Sequence, residues 1–182
     1  MVLPLKLVAF ERYMLADDRT SHPMTFTVRL VFSGAFDREA FASAVEAAVG
    51  RHPLLNAYLS DDEDGGQSWI AADGVQTFVD VADEGVPLRF PGSEWIDLRE
   101  QTGLRIWVRT GSEATEMRLQ FHHACSDGMG SYRFIEDLLC AYDQAADQDG
   151  GHDGEPALNL AGERSQYRPL DATRLRTRAS FG

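Results

Sequence analysis

One run of eight residues in this chain has the types and spacing for acid–base chemistry: Phe121-His122-His123-Ala124-Cys125-Ser126-Asp127-Gly128. Two adjacent imidazoles lead, a carboxylate follows four positions after the second, and a glycine comes next. An imidazole titrates close to neutrality, so it can take a proton from a hydroxyl or amine and return it later. Asp127, across a turn, can fix the local geometry or polarise the site. Gly128 lets the backbone come close to a reacting oxyanion. The set predicts general base catalysis.

Other chemistries use some of the same residues. Cys125, two positions from His123, could form a Cys–His nucleophile, but a thiol between core strands is more simply a small packed hydrophobe. A metal centre on His122, His123 and Asp127 is disfavoured, because adjacent histidines on a strand point to opposite faces and further ligands are not evident. His122 continues the polar parity of its strand and reads as structural or orienting. Asp127 reads as an ion-pair partner or turn-former rather than a proton carrier. Ser126 and Ser131 read as turn and helix-start residues. Trp69, Trp95 and Trp107 read as core or rim packing.

The elements that must position the histidines are legible as periods. Thr115, Met117, Leu119 and Phe121 alternate with Glu116, Arg118, Gln120 and His122, the pattern of a half-buried strand. After Gly128 the period becomes helical, with Tyr132, Ile135, Leu138, Leu139 and Tyr142 on one face and a helix expected from about 131 to 146. The histidines therefore fall where a strand gives way to a helix. Leu104, Ile106 and Val108 alternate with Arg105, Trp107 and Arg109, and Gly111-Ser112-Glu113 turns this strand into the next as a hairpin.

Upstream, Met24 to Phe32 alternates as a strand that Ser33-Gly34 closes. Asp37 is placed to cap a helix carrying Phe41, Ala44, Val45, Ala48 and Val49 at i, i+3, i+4, i+7 and i+8. Gly50 is placed to end that helix, and Pro53 forbids its continuation. Shorter strands are expected at 55–59, 67–71 and 77–81, with a short helix at 94–102. Residues 4–22 read as an opening segment with apolar Leu5, Leu7, Val8 and Phe10. The sum is an α+β domain, an α/β sandwich with helices on a mixed or largely antiparallel sheet.

His-His-x-x-x-Asp-Gly at such a junction resembles the active-site motif of the chloramphenicol-acetyltransferase-like acyltransferases, which include nonribosomal peptide condensation domains and wax-ester synthases. A second feature is similar: a helix running into Arg51-His52-Pro53-Leu54-Leu55 and then a strand, with Asn56 where that family commonly has arginine. The resemblance spans roughly residues 4–145. It implies that His123 is the catalytic base, Asp127 mainly structural and Gly128 at the reacting centre, with His122 beside them. The Arg51-His52-Pro53 group would be architectural.

The resemblance implies an acyl donor that is a coenzyme A thioester or a phosphopantetheinyl carrier protein, an acceptor hydroxyl or amine, and no tightly bound cofactor or metal. Ester and amide formation both stay open. An epimerising role stays open too, whereas heterocyclisation would call for aspartate in place of His122. Family members have two such lobes around a crevice and about twice this length. Residues 1–146 would then be an N-terminal lobe and 147–182 a crossover toward a second lobe, or the chain would need a dimer partner. The competing expectation is a half-domain that binds a carrier protein or acyl chain, or pairs structurally with another lobe, without turnover.

Composition bounds the rest. The chain has 182 residues, enough for one domain with a real core. A formal charge of −12 argues against a nucleic-acid surface. No apolar run reaches membrane-span length and no basic-then-apolar leader is present, which points to the cytoplasm. Cys125 and Cys140 read as reduced thiols. Against the overall charge, residues 163–178 carry five arginines and two acids, a solvated linker or a surface for an acidic partner.

Overall fold

A computed structural model describes residues 3–149 and 180–181. Its strands are β1 (Leu5–Lys6), β2 (Thr25–Ser33), β3 (Ala57–Asp61), β4 (Gln67–Ala71), β5 (Phe78–Asp83), β6 (Leu104–Thr110), β7 (Ala114–His122) and β8 (Ser180–Phe181). The helices are α1 (Ala9–Asp17), α2 (Arg38–Arg51) and α3 (Gly128–Asp149). The alternating segments form a five-stranded sheet in the order β5-β6-β7-β2-β8. All its pairings are antiparallel except β5 with β6. A second sheet, β1-β4-β3, is antiparallel throughout. The class is the expected one, mixed α/β.

The two parities of β6 and β7 go to two faces. Leu104, Ile106 and Val108 with Met117, Leu119 and Phe121 are buried in one core with α2 and α3. Arg105 opposes Gln120, Trp107 opposes Arg118 and Arg109 opposes Glu116 on the other parity. That outer face is covered by the chain between β5 and β6. The Arg105 guanidinium, 1% exposed, donates to the carbonyls of Pro91, Ser93 and Trp95 and to the side chains of Gln101 and Gln120. Arg109 holds the carbonyls of Val86 and Pro87 and pairs with Asp80 at 2.7 Å.

Helix α2 starts where expected. The Asp37 carboxylate accepts the N–H groups of Glu39 and Ala40 at 2.9 and 3.0 Å. Its end differs: the helix runs through Gly50 to Arg51, and a 3₁₀ turn at Pro53–Asn56 delays β3 to Ala57. Helix α3 begins at Gly128 rather than 131 because Asp127 caps it, and it extends to Asp149. Its buried stripe is Ser131, Phe134, Ile135 and Leu138, while Tyr132 is 48% exposed. The opening segment contains β1 and α1, whose Glu11 reaches back to the Val8 N–H.

The helix expected at 94–102 does not form. Its carbonyls at Trp95, and at Ser93 just before it, are taken by Arg105, and Asp97 closes only a turn with Glu100 and Gln101. A helix needs those carbonyls for its own N–H groups. Strand β5 lies at 78–83 rather than 77–81. Most of the expected crossover at 147–182, including the arginine-rich 163–178, lies outside the described residues.

Candidate functional site

Strand β7 is the central strand, paired to β6 and β2, so its last residue is held on both sides. The His122 N–H donates to Gly103 O at 2.9 Å and the His123 N–H to Met24 O at 2.8 Å. The chain then turns: the N–H groups of Cys125 and Ser126 both donate to His122 O. This fixes where each imidazole goes. His122 is fully buried on the outer side, and its Nδ1 accepts the Ala124 N–H at 3.1 Å. That hydrogen bond leaves the ring proton on Nε2.

His123 is half-buried on the helix side, its ring centroid 4.5 Å from that of Phe26. Phe26 in turn stacks on Phe121. Burial lowers the His123 pKa, adjacent His122 lowers it further, and the Asp127 carboxylate opposes them. A neutral imidazole is the state a base requires. The two neighbouring histidines thus serve opposite faces of one strand.

Asp127 is exposed and its Oδ1 accepts the Gly130 N–H at 2.7 Å, while its carbonyl accepts the Ser131 N–H. No ion pair reaches it among the described residues. Its place is that of a turn-former and helix cap beside His123. Gly128 opens α3, with nothing within 4 Å of where a Cβ would stand, so the space in front of the helix end is unfilled. The positive end of the α3 dipole lies here.

Cys125 is buried, and burial raises its thiol well above the ordinary range, with nearby Glu11 adding to the effect. A thiol held protonated is a poor nucleophile. It packs on Gly103, where an added Cβ would stand 2.3 Å from the Cys125 Sγ. Among the described residues no three His, Cys, Asp or Glu side chains converge to hold a metal ion.

The second sequence feature lies elsewhere. His52 Nε2 and Arg51 Nη1 meet the two oxygens of Asp137 at 2.8 and 3.0 Å, tying the end of α2 to α3. His52 also packs edge-on against Phe134. Asn56 bridges Gly74 O and the Gln76 N–H.

Sequence reasoning missed Asp18. Its carboxylate accepts the Met24 N–H at 2.7 Å and the Trp95 indole N–H, and its Oδ2 lies 3.3 Å from His122 Nε2. Burial raises this carboxyl, but the adjacent His122 ring and the hydrogen bonds from the Met24 N–H and Trp95 outweigh it and leave the pKa lowered. The 3.3 Å approach is within ion-pair range but not along a well-aligned hydrogen bond. A partner 104 residues away leaves no local signal.

This architecture is the chloramphenicol-acetyltransferase-like fold of condensation domains. The chain is similar to the starter condensation domain of rhizomide synthetase RzmA (TM-score 0.68, 16% identity, 81% of this chain and 39% of that one). It is also similar to polyketide synthase associated protein 5 from Mycobacterium tuberculosis (TM-score 0.60, 21% identity, 86% and 38%). A third similar structure is the X-domain solved in complex with OxyB from teicoplanin biosynthesis (TM-score 0.66, 21% identity, 87% and 36%).

Among curated proteins the chain is 30% identical over 172 residues to the uncharacterized protein Rv2305 of Mycobacterium tuberculosis. It is 26% identical over 117 residues to a phthiocerol/phthiodiolone dimycocerosyl transferase of the same species. These alignments take in 89% and 62% of this chain but only 39% and 27% of the relatives. No family model matches.

Proposed function

We propose that this chain is a lobe of an acyltransferase in which His123 is the general base. The observation that carries it is the His123 ring: immobilised at a strand-to-helix junction, partly open, and biased toward its neutral form. The acceptor hydroxyl or amine gives its proton to the unprotonated ring nitrogen while its oxygen or nitrogen bonds to the thioester carbonyl carbon. The resulting oxyanion is stabilised by a backbone N–H near Gly128 and by groups outside the described residues. As the carbonyl re-forms the C–S bond breaks, and the proton passes from His123 to the departing thiolate. Asp127 holds the helix end in register, and His122 orients the strand end.

The donor is a thioester of coenzyme A or of a carrier protein, and the enzyme works in the cytoplasm. Similarity to a dimycocerosyl transferase and to condensation domains supports acyl transfer. The short span of the relatives covered supports a second lobe or a second copy closing over His123. The X-domain complex with OxyB supports a protein partner of assembly-line type.

The test is thiol release from acyl-CoA thioesters in the presence of alcohol or amine acceptors. His123→Ala is expected to lower turnover by about 10²- to 10⁴-fold, the usual contribution of a positioned base, with an unchanged circular dichroism spectrum. Turnover near the unsubstituted level in that variant overturns the assignment.

A further inference from the structure

His123 alone suffices as a base, yet the residue before it is also a histidine and is completely buried. Its surroundings give that ring a single allowed protonation pattern. Nδ1 faces the Ala124 N–H and must accept, so Nε2 carries the proton and points toward Asp18.

Asp18 is an unusual place for a carboxylate. It is the C-terminal cap residue of α1, where the helix dipole is negative and disfavours an acid. Its side chain is 8% exposed, which adds a desolvation cost. Neither fact helps the helix, so the charge has its use toward the donors around it. These are the Met24 N–H at Oδ1 and the Trp95 indole N–H at Oδ2, with the His122 Nε2 3.3 Å from the same Oδ2. Met24 then uses its own carbonyl to accept the His123 N–H at 2.8 Å. One carboxylate thus reaches the ring of the first histidine directly and the backbone of the second through one residue.

We propose that Asp18 is the positioning residue of the histidine pair, setting the place of the buried His122 ring with one oxygen and the His123 main chain through Met24 with the other. This rests on the acyl-transfer reading, in which a small displacement of the base carries a large kinetic penalty. An amide cannot replace the carboxylate. With its oxygen toward the two ring donors, its NH2 meets the Met24 N–H; turned over, its NH2 meets the ring donors. Nor can His122 adapt by moving its proton to Nδ1, which would then face the Ala124 N–H.

The test is ¹⁵N imidazole NMR on this chain, its five histidines assigned by single substitution, alongside thiol-release kinetics. The unsubstituted chain is expected to show His122 as one Nε2–H tautomer. Asp18→Asn is expected to leave His122 protonated on Nε2, against the Ala124 N–H, and to displace the ring signals of both His122 and His123. Its kcat should fall roughly tenfold or more with KM held within about twofold, the pattern of a group acting in the transition state. Trp95→Phe, which removes one donor and keeps the ring packing, is expected to move the same signals less, and it decides the matter if Asp18→Asn fails to fold. Folded variants with both imidazoles unmoved, or moved imidazoles with undiminished kcat, overturn the proposal. Silence in the thiol-release assay once the chain is joined to a second lobe or paired with a second copy overturns the acyl-transfer reading instead, while the ring signals still report on Asp18.

Discussion

The His123 imidazole stands between opposing pulls: burial and His122 press its proton off, and Asp127 draws it on. The net direction is down from the ordinary histidine value of 6.5. In the proposed role of base His123 must be unprotonated, so lowering its pKa extends the expected activity toward acid. The acid limb of kcat/KM is therefore expected below 6.5. Asp127→Asn should move that limb further toward acid, because it removes the one opposing charge. It should keep the α3 cap, since an asparagine oxygen can accept the Gly130 N–H as well as a carboxylate does. A pH–rate profile of the two proteins checks both signs, and a limb moving toward alkali in the variant would contradict them.

At the level of elements, the strand end is fixed by a close approach at Gly103. This residue accepts the His122 N–H and leaves room for the Cys125 side chain, whose Sγ and Cβ would lie 2.3 and 2.7 Å from an added Cβ. Gly103→Ala is expected to cost about 1–3 kcal/mol in urea unfolding, the range for overpacking a close-packed site. Cys125→Ala should rescue it only in part, because the Cβ clash remains. A silent Gly103→Ala would mean that the turn after β7 can shift without loss. Elements with a clean period were legible in the sequence: β7 with its hairpin partner, and α2 from its Asp37 cap. Helix α1 was not, because its apolar Phe10 is exposed while its charged Glu11 is buried, the reverse of the usual pattern. The supposed helix at 94–102 failed because its carbonyls are used by an arginine on β6. The histidine pair could be read locally; Asp18, which approaches it from 104 residues away, and Trp95, which holds Asp18 from 77 residues away, could not.

Across the whole molecule, the link between the outer sheet face and the site passes through one guanidinium. Arg105 fixes Trp95 O, Trp95 meets Asp18, and Asp18 faces His122. No carboxylate pairs with Arg105 among the described residues, and burial lowers it to about 10, still protonated at neutral pH. Arg105→Lys keeps the charge but loses the planar fork, stranding several partners. A stability loss of about 2–4 kcal/mol is expected, with faster amide hydrogen exchange at 91–101 as the local sign. Unchanged exchange there would detach the loop from its arginine.

Arg105 and Arg109 hold this covering chain largely by main-chain oxygens, which every amino acid supplies. Its path is thus indifferent to most side chains along it. The surface from Val86 to Ser93 is free to drift in composition over evolutionary time, and can acquire new recognition properties, while Trp95 and the histidine pair beneath stay in place.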